Sequence, residues 1–309
     1  VKLAVHMAWE LNRPLLVVGE AGCGKSQLAL ALACEWQAPL LKHVVKPNTQ
    51  PEDLLYHFDA VGRLADAQVT KPQGEHGKER ESLDPRNYLR PGVLWWAWNA
   101  ASADKLNEGR PAGRKFRSPE LLSVADIRQP VVVLIDEIDK AGPEVPDSLL
   151  DVLDDGSFQV PWLDAPVTAS SRQREHERPL IVITANAGRA LSQPFMRRCV
   201  VLSMQWPTEG VEAWLKDRAD KHFGDDQCGQ RAKARAAELI IAARAAALAV
   251  GGYAPGVAEY LKLISAVASI AHGQSDDEQR TVIDRYVQFV TARSEEPRLN
   301  SSHGYISYA

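Results

Sequence analysis

The chain has 309 residues, a formal net charge of −4, 45% hydrophobic residues and 25% charged ones, which suits one large α/β domain and a smaller companion. The slight acidity excludes nucleic acid as a partner drawn by bulk charge, and no apolar run approaches the roughly 18 residues that a membrane span requires. Cys23, Cys34, Cys199 and Cys228 form no CxxC pair and no metal-like cluster with histidine, so they read as buried or semi-buried reduced thiols of a cytoplasmic protein.

Residues 1–12 place Leu3, Val5, Met7, Ala8 and Leu11 at helical spacing and predict a short helix. Leu15-Leu16-Val17-Val18 is a short β-branched run and predicts a buried strand. It leads into Gly19-Glu20-Ala21-Gly22-Cys23-Gly24-Lys25-Ser26, which fits glycine, four variable residues and Gly-Lys-Ser without a mismatch. Ser26 and Gln27 open an apolar helical stretch that ends near Trp36. Strand, glycine-rich turn and helix form the context in which such a loop cradles phosphates, because the backbone N–H groups and the positive helix end face the same anion. In this reading the loop 19–27 binds a nucleoside triphosphate, Lys25 reaches its β/γ-phosphates and the Ser26 hydroxyl holds Mg²⁺. Cys23 is a small filler in that loop. The loop reads phosphates and therefore does not distinguish adenine from guanine.

Residues 40–45 predict a second strand, 47–51 a turn and 52–56 a short helix. Residues 62–90 are charged and aperiodic and predict an exposed insertion; 104–119 predict a second polar one. Between them Trp95, Trp96 and Trp98 are expected in the core rather than at a docking surface. The near-continuous apolar run 131–135 predicts a central parallel strand, and it ends in Asp136-Glu137, at the strand end where open α/β sheets bind ligands. A short helix over 147–154, a turn and brief half-hairpin strand over 156–161, and a polar loop over 170–178 follow. Strands over 180–184 and 199–203 complete the set; the first leads to Ala185-Asn186, and the second follows Phe195-Met196-Arg197-Arg198. Strands alternating with helices argue for a doubly wound parallel sheet. From 209 onward only helices are predicted, over 232–250, 257–271 and 281–292, with a break at Gly251-Gly252. The expected domains are therefore 1–208, with its two polar insertions, and a helical 209–292. Residues 293–309 abandon the helical pattern and resemble translated sequencing-adapter read-through; they are read as a non-native tail.

Taken in order, these motifs resemble the AAA+ ATPases, and more narrowly their MoxR-like, dynein-related bacterial branch. The resemblance runs over residues 1–292 and is carried by the phosphate loop and three further segments: Phe58-Asp59-Ala60-Val61-Gly62-Arg63-Leu64-Ala65-Asp66-Ala67-Gln68, Leu134-Ile135-Asp136-Glu137-Ile138-Asp139-Lys140-Ala141 and Pro194-Phe195-Met196-Arg197-Arg198-Cys199. It implies a P-loop NTPase fold, α/β with a five-stranded parallel sheet of order 5-1-4-3-2 and a C-terminal helical lid. It also implies ATP and Mg²⁺ as cofactors, with Ser26 and Asp136 holding the metal, Glu137 polarising the attacking water and Asn186 at the sensor-1 position. Arg197 or Arg198 matches the arginine finger that completes a neighbouring subunit's site; Arg198, directly before the fifth strand, is favoured, and Arg197 is left for a surface or interface salt bridge. An in-trans finger implies a homo-hexamer.

One position departs from the branch. Ala254-Pro255-Gly256 stands where Ser-Pro-Arg is usual, so the lid arginine that would touch the γ-phosphate is missing at Gly256. That bears on hydrolysis rate more than on nucleotide binding. The function implied is ATP-driven, chaperone-like remodelling of a protein partner, in relatives commonly a von Willebrand factor A domain protein. Two alternatives stand beside it. One is a nucleotide-gated scaffold with slow turnover. The other is a McrB-type, GTP-dependent nucleic-acid motor, whose channel Arg110, Arg114, Arg117, Arg172, Arg174 and Arg178 would line.

Overall fold

Five apolar runs of the sequence become the five parallel strands of one sheet in the computed structural model, which describes residues 1–69, 83–116, 131–169, 178–188, 191–252 and 254–291. The strands in chain order are β1 (Leu15–Gly19), β2 (Leu40–Val44), the short β3 (Tyr56–Phe58) and β4 (Leu89–Pro91), β5 (Val132–Asp136), the short β6 (Ser157–Phe158) and β7 (Val167–Thr168), β8 (Leu180–Asn186) and β9 (Val200–Met204). The large sheet runs β2-β5-β8-β1-β9. Counting its members 1 to 5 along the chain, this is the expected order 5-1-4-3-2. The register sets Gly19 beside Asn186 and Val44 beside Asp136, so the phosphate loop and the acidic strand end emerge from the same edge of the sheet.

Strand periodicity explains the core. Leu15 and Val17 face one side of β1, where α1 (Lys2–Glu10) and α2 (Lys25–Glu35) bring Val5, Ala8, Ala29 and Ala33 against Val132, Leu134 and Val182. Leu16 faces the other side with Val133, Ile135, Ile181 and Ile183, and meets the tryptophans of the helix Val93–Lys105. Both faces of β5 and β8 are therefore covered, and their sequences carry no polar alternation. Trp95, Trp96 and Trp98 are all buried, as expected for core residues. Phe158 lies edge-on to Trp95 and tilted against Trp98. That helix is kinked at Asn99, whose side chain accepts a hydrogen bond from the Ser102 N–H.

Several local expectations are corrected. Residues 62–69, read as part of an exposed insertion, lie in a helix (Ala60–Val69). Its apolar positions gave no warning because they are not buried: Val61 is 80% exposed and Leu64 61%. Polar anchors hold it instead. Asp59 accepts from the Gly62 N–H, Arg114 bridges Asp59 and Asp66, and the Tyr88 hydroxyl donates to Asp66. The expected helix over 52–56 is a 3₁₀ turn at Pro51–Leu54 followed by β3, which pairs antiparallel with β4. The brief half-hairpin strand expected over 156–161 is present, as β6, paired antiparallel with β7. Cys34 is exposed rather than semi-buried; Cys199 and Cys228 are buried, and burial pushes their thiols up to about 12 and about 11. Most of the polar loop 170–178, part of both insertions, Arg117, Arg172, Arg174 and the tail 293–309 lie outside the described residues.

By its contacts the chain divides into two compact units, Val1–Gly19 with Lys25–Met204, and Glu20–Gly24 with the chain from Gln205 onward. The second is built on the helices Val211–Asp220, Gln230–Ala249, Val257–Ile270 and Asp276–Thr291. Leu215, Ile240, Tyr260, Leu263, Ile264, Val267 and Ile283 form its core, and alanines at 232, 236, 237 and 247 allow close helix approach. Lys233 is fully buried there, its ammonium donating to Asp220, Asp225 and the Phe223 carbonyl. Among the described residues no helix is long and apolar enough to cross a membrane.

Trp95 is the largest fully buried side chain among the described residues. Trp95→Ala is expected to cost about 3–5 kcal/mol of stability, read as a lowered urea midpoint at unchanged slope.

Candidate active site

The loop after β1 can turn only because two of its glycines adopt left-handed backbone, Gly22 at φ 76° and Gly24 at φ 93°. At Gly22 space is also short: an added Cβ would sit 3.1 Å from the Ala258 side chain. The helix then starts at Lys25. The Lys25 side chain is buried, and its ammonium donates to the Gly19 carbonyl (3.0 Å) and to Asn186 Oδ1 (3.1 Å).

Asp136 is the centre of the next layer. It is only 7% exposed. Its Oδ1 accepts from the hydroxyls of Ser26 (2.6 Å) and Thr184 (2.8 Å), and the Lys42 ammonium lies 3.2 Å from its Oδ2. Burial pushes this carboxyl up, but the hydrogen bonds from Ser26, Thr184 and Lys42 outweigh it and hold the group below the usual carboxylate range. Thr184 also accepts the Glu137 N–H (2.8 Å), so one hydroxyl fixes both acidic residues. Glu137 itself adopts left-handed backbone, φ 61° and ψ 47°, a conformation costly for a residue with a Cβ and held here by its neighbours. Its carboxylate pairs with Lys140 at 2.5 Å, and that hydrogen bond raises the lysine ammonium above its ordinary value. Asn186 is clamped by the buried Asp139, which accepts from its backbone N–H and from Nδ2, both at 3.0 Å, leaving Oδ1 on Lys25.

The structure thus brings together Gly19, Lys25, Ser26, Asp136, Glu137 and Asn186 at one edge of the sheet. Ser26 Oγ and an ionised Asp136 are hard oxygen donors already in contact. They fit Mg²⁺, which takes one or two protein oxygens and keeps waters for the rest.

Arg197 and Arg198 stand elsewhere. They end the short helix Gln193–Arg198, capped by Ser192, just before β9. The register pairs Val200 with Leu15 and Met204 with Gly19, so the two arginines lie at the opposite edge of the sheet from the phosphate loop. Neither can serve the site of its own chain. Arg198, not Arg197, makes a surface salt bridge, to Asp154 at 2.6 Å; Arg197 is exposed, has no ion pair among the described residues, and accepts at its carbonyl from Arg13. A cavity of about 320 Å³ opens beside them, lined in part by Arg13, Asp154, Asp155 and Arg178, away from the acidic centre.

Gly256 caps the helix Val257–Ile270 and brings no side chain. Within the same unit Arg244 pairs with Glu20 at 2.5 Å. Arg244, Thr184, Asp139, Lys42 and Lys140 were not singled out in the sequence. Thr184 lies two residues from Asn186 on the same strand face, and Arg244 falls on the stripe of Ala236, Ile240 and Ala247; a polar residue on a buried face was the available signal. Nothing comparable marks Lys42 on its edge strand. Arg110 and Arg114 are engaged within the chain. Arg110 is 5% exposed and donates to the Arg86 carbonyl, while Arg114 carries its two aspartates and stacks on Tyr88.

Residues 14–199 match the family model of the AAA domain, dynein-related subfamily. No curated protein matches the chain. Among solved structures it is similar to a candidate ATPase from Cytophaga hutchinsonii, with 11% identity and a TM-score of 0.40 over 93% of this chain and 78% of that one. It is also similar to a variant of RuvB from Thermotoga maritima, with 16% identity and a TM-score of 0.44 over 92% and 67%.

Thr184→Val keeps the side-chain volume but leaves the Glu137 N–H and one Asp136 oxygen short of a partner. It is expected to cost about 1–3 kcal/mol in denaturant titration, and Thr184→Ser, which keeps the hydroxyl, to cost less.

Proposed function

This chain belongs to the dynein-related subfamily of AAA domain proteins and is an ATP-hydrolysing enzyme, and on that premise we propose that it works as a MoxR-like homo-hexameric ring, using Mg²⁺ and ATP for chaperone-like remodelling of a protein partner. The observation that supports this best is the Asp136 centre. The hydroxyl of the phosphate-loop residue Ser26 and the hydroxyl of Thr184 meet on one ionised carboxylate, with Glu137 next in the chain.

In this reading the backbone of 19–27 and the Lys25 ammonium hold the β- and γ-phosphates, and Ser26 and Asp136 hold Mg²⁺. When bound, the metal neutralises charge on the phosphate oxygens. Glu137 accepts the proton of the attacking water, and Asn186, fixed by Asp139, orients that water. For this Glu137 turns away from Lys140; the ion pair is exposed enough to break at little cost.

The finger comes from a neighbouring chain, because Arg197 and Arg198 cannot reach their own site. The exposed pair of Arg198 with Asp154 contributes about 0–1 kcal/mol at most, so a neighbour's triphosphate competes for it readily. Arg197 has no ion pair to break among the described residues. Both remain assigned to the finger. The partner is a protein, with a von Willebrand factor A domain protein the favoured kind. The nucleic-acid motor is weakened because Arg110 and Arg114 are already engaged. The slow scaffold is favoured by Gly256 alone, which supplies no cation at the start of its helix.

Steady-state ATP hydrolysis, followed with solution mass over a range of protein concentrations, tests this. The rate per chain should rise as the ring assembles. Glu137→Gln should lower kcat by about 10²–10⁴-fold with ATP still bound, and Arg198→Ala or Arg197→Ala should lower turnover without lowering affinity. Tight binding without turnover at any concentration would replace the remodeller by the scaffold.

A further inference from the structure

Glu20 poses an electrostatic problem. It opens the segment that gathers a polyanion, yet it carries a carboxylate, which is 52% exposed. A like charge beside a bound polyanion disfavours its binding. The unit that holds Glu20 also supplies a buried cation. Arg244 lies on the long alanine-rich helix Gln230–Ala249 and is 7% exposed. Its Nη2 lies 2.5 Å from Glu20 Oε2, its Nη1 donates to the Pro255 carbonyl at 3.2 Å, and its guanidinium stacks 4.4 Å from the Trp206 ring centroid. Three fixed partners hold the planar guanidinium in a single orientation, and burying it without them would be costly.

We propose that Arg244 is a charge-masking residue of the nucleotide site: by pairing with Glu20 it cancels the carboxylate in the phosphate loop and sets the affinity for nucleoside di- and triphosphates. This rests on the reading of 19–27 as a nucleotide-binding loop. It departs from a purely structural role in one respect. If Arg244 served only to pack against Trp206 and Pro255, removing the charge of Glu20 would not repair its loss. If it masks Glu20, the repair is required.

Magnesium-ADP and magnesium-ATP binding to the full chain, by isothermal titration at low and high salt, decides between them. Arg244→Ala should weaken binding about tenfold, the scale of losing one opposite charge near solvent. Glu20→Gln, which leaves the Arg244 charge uncompensated beside the loop, should bind more tightly than the wild type. The double variant should return to within about twofold of the wild type, and the deficit of Arg244→Ala should shrink at high salt as the Debye length falls. Arg244→Lys, which keeps the charge but loses the flat stacking, should lie between, and replaces Arg244→Ala if that variant does not fold. A double variant as weak as the single one, or an Arg244 variant that binds like the wild type, overturns the inference. No nucleotide binding by the wild-type chain overturns the nucleotide reading itself, and this inference with it.

Discussion

The carboxylate of Asp136 is the constraint on which the active edge depends. A charge this buried is tolerated only where donors surround it, and each donor comes from a different element. Ser26 comes from the helix after the phosphate loop, Thr184 from β8 and Lys42 from β2. The strand order makes that possible. β5 lies between β2 and β8, and β8 lies beside β1, so the loop, the acidic strand end and Asn186 open at the same edge. Another strand order would bury Asp136 without its partners. Sheet topology and site chemistry are therefore one statement here.

The same centre shows how the cations of the site are held. Its cations already have acidic or amide partners: Lys25 on Asn186, Lys42 on Asp136, Lys140 on Glu137. A triphosphate with its metal would exchange these pairs for stronger ones instead of creating charge contacts in an empty cleft. Thr184 adds rigidity, since its single hydroxyl donates to Asp136 and accepts from the Glu137 backbone, coupling the two acidic residues.

Much of this was legible in the sequence because its signals are local and periodic. The strand run before Gly19, the Gly-Lys-Ser motif and the apolar run ending at Asp136 place their residues without tertiary information, and alternation along β1 separates the two cores. Trp95, Trp96 and Trp98 were legible as core because their bulk has few alternatives. The illegible parts share a different physics. The helix Ala60–Val69 exposes Val61 and Leu64 and is held by Asp59, Asp66, Arg114 and Tyr88, which come from distant positions. The pair Arg198–Asp154 joins residues 44 apart, and Arg244–Glu20 joins residues 224 apart. Long-range polar contacts leave no period to read, so the sequence suggested Arg197 for the surface salt bridge that Arg198 makes.

The central claim is that the ionised Asp136, with Ser26, holds the metal required for hydrolysis. Its most direct measurement is phosphate release from ATP by the wild-type chain and Asp136→Asn, with magnesium and with EDTA, alongside ATP binding under the same conditions. The account predicts release by the wild type in magnesium, none above background in EDTA, and near-complete loss in Asp136→Asn while ATP still binds. Release that persists in Asp136→Asn, or that is equal in magnesium and EDTA, would contradict it.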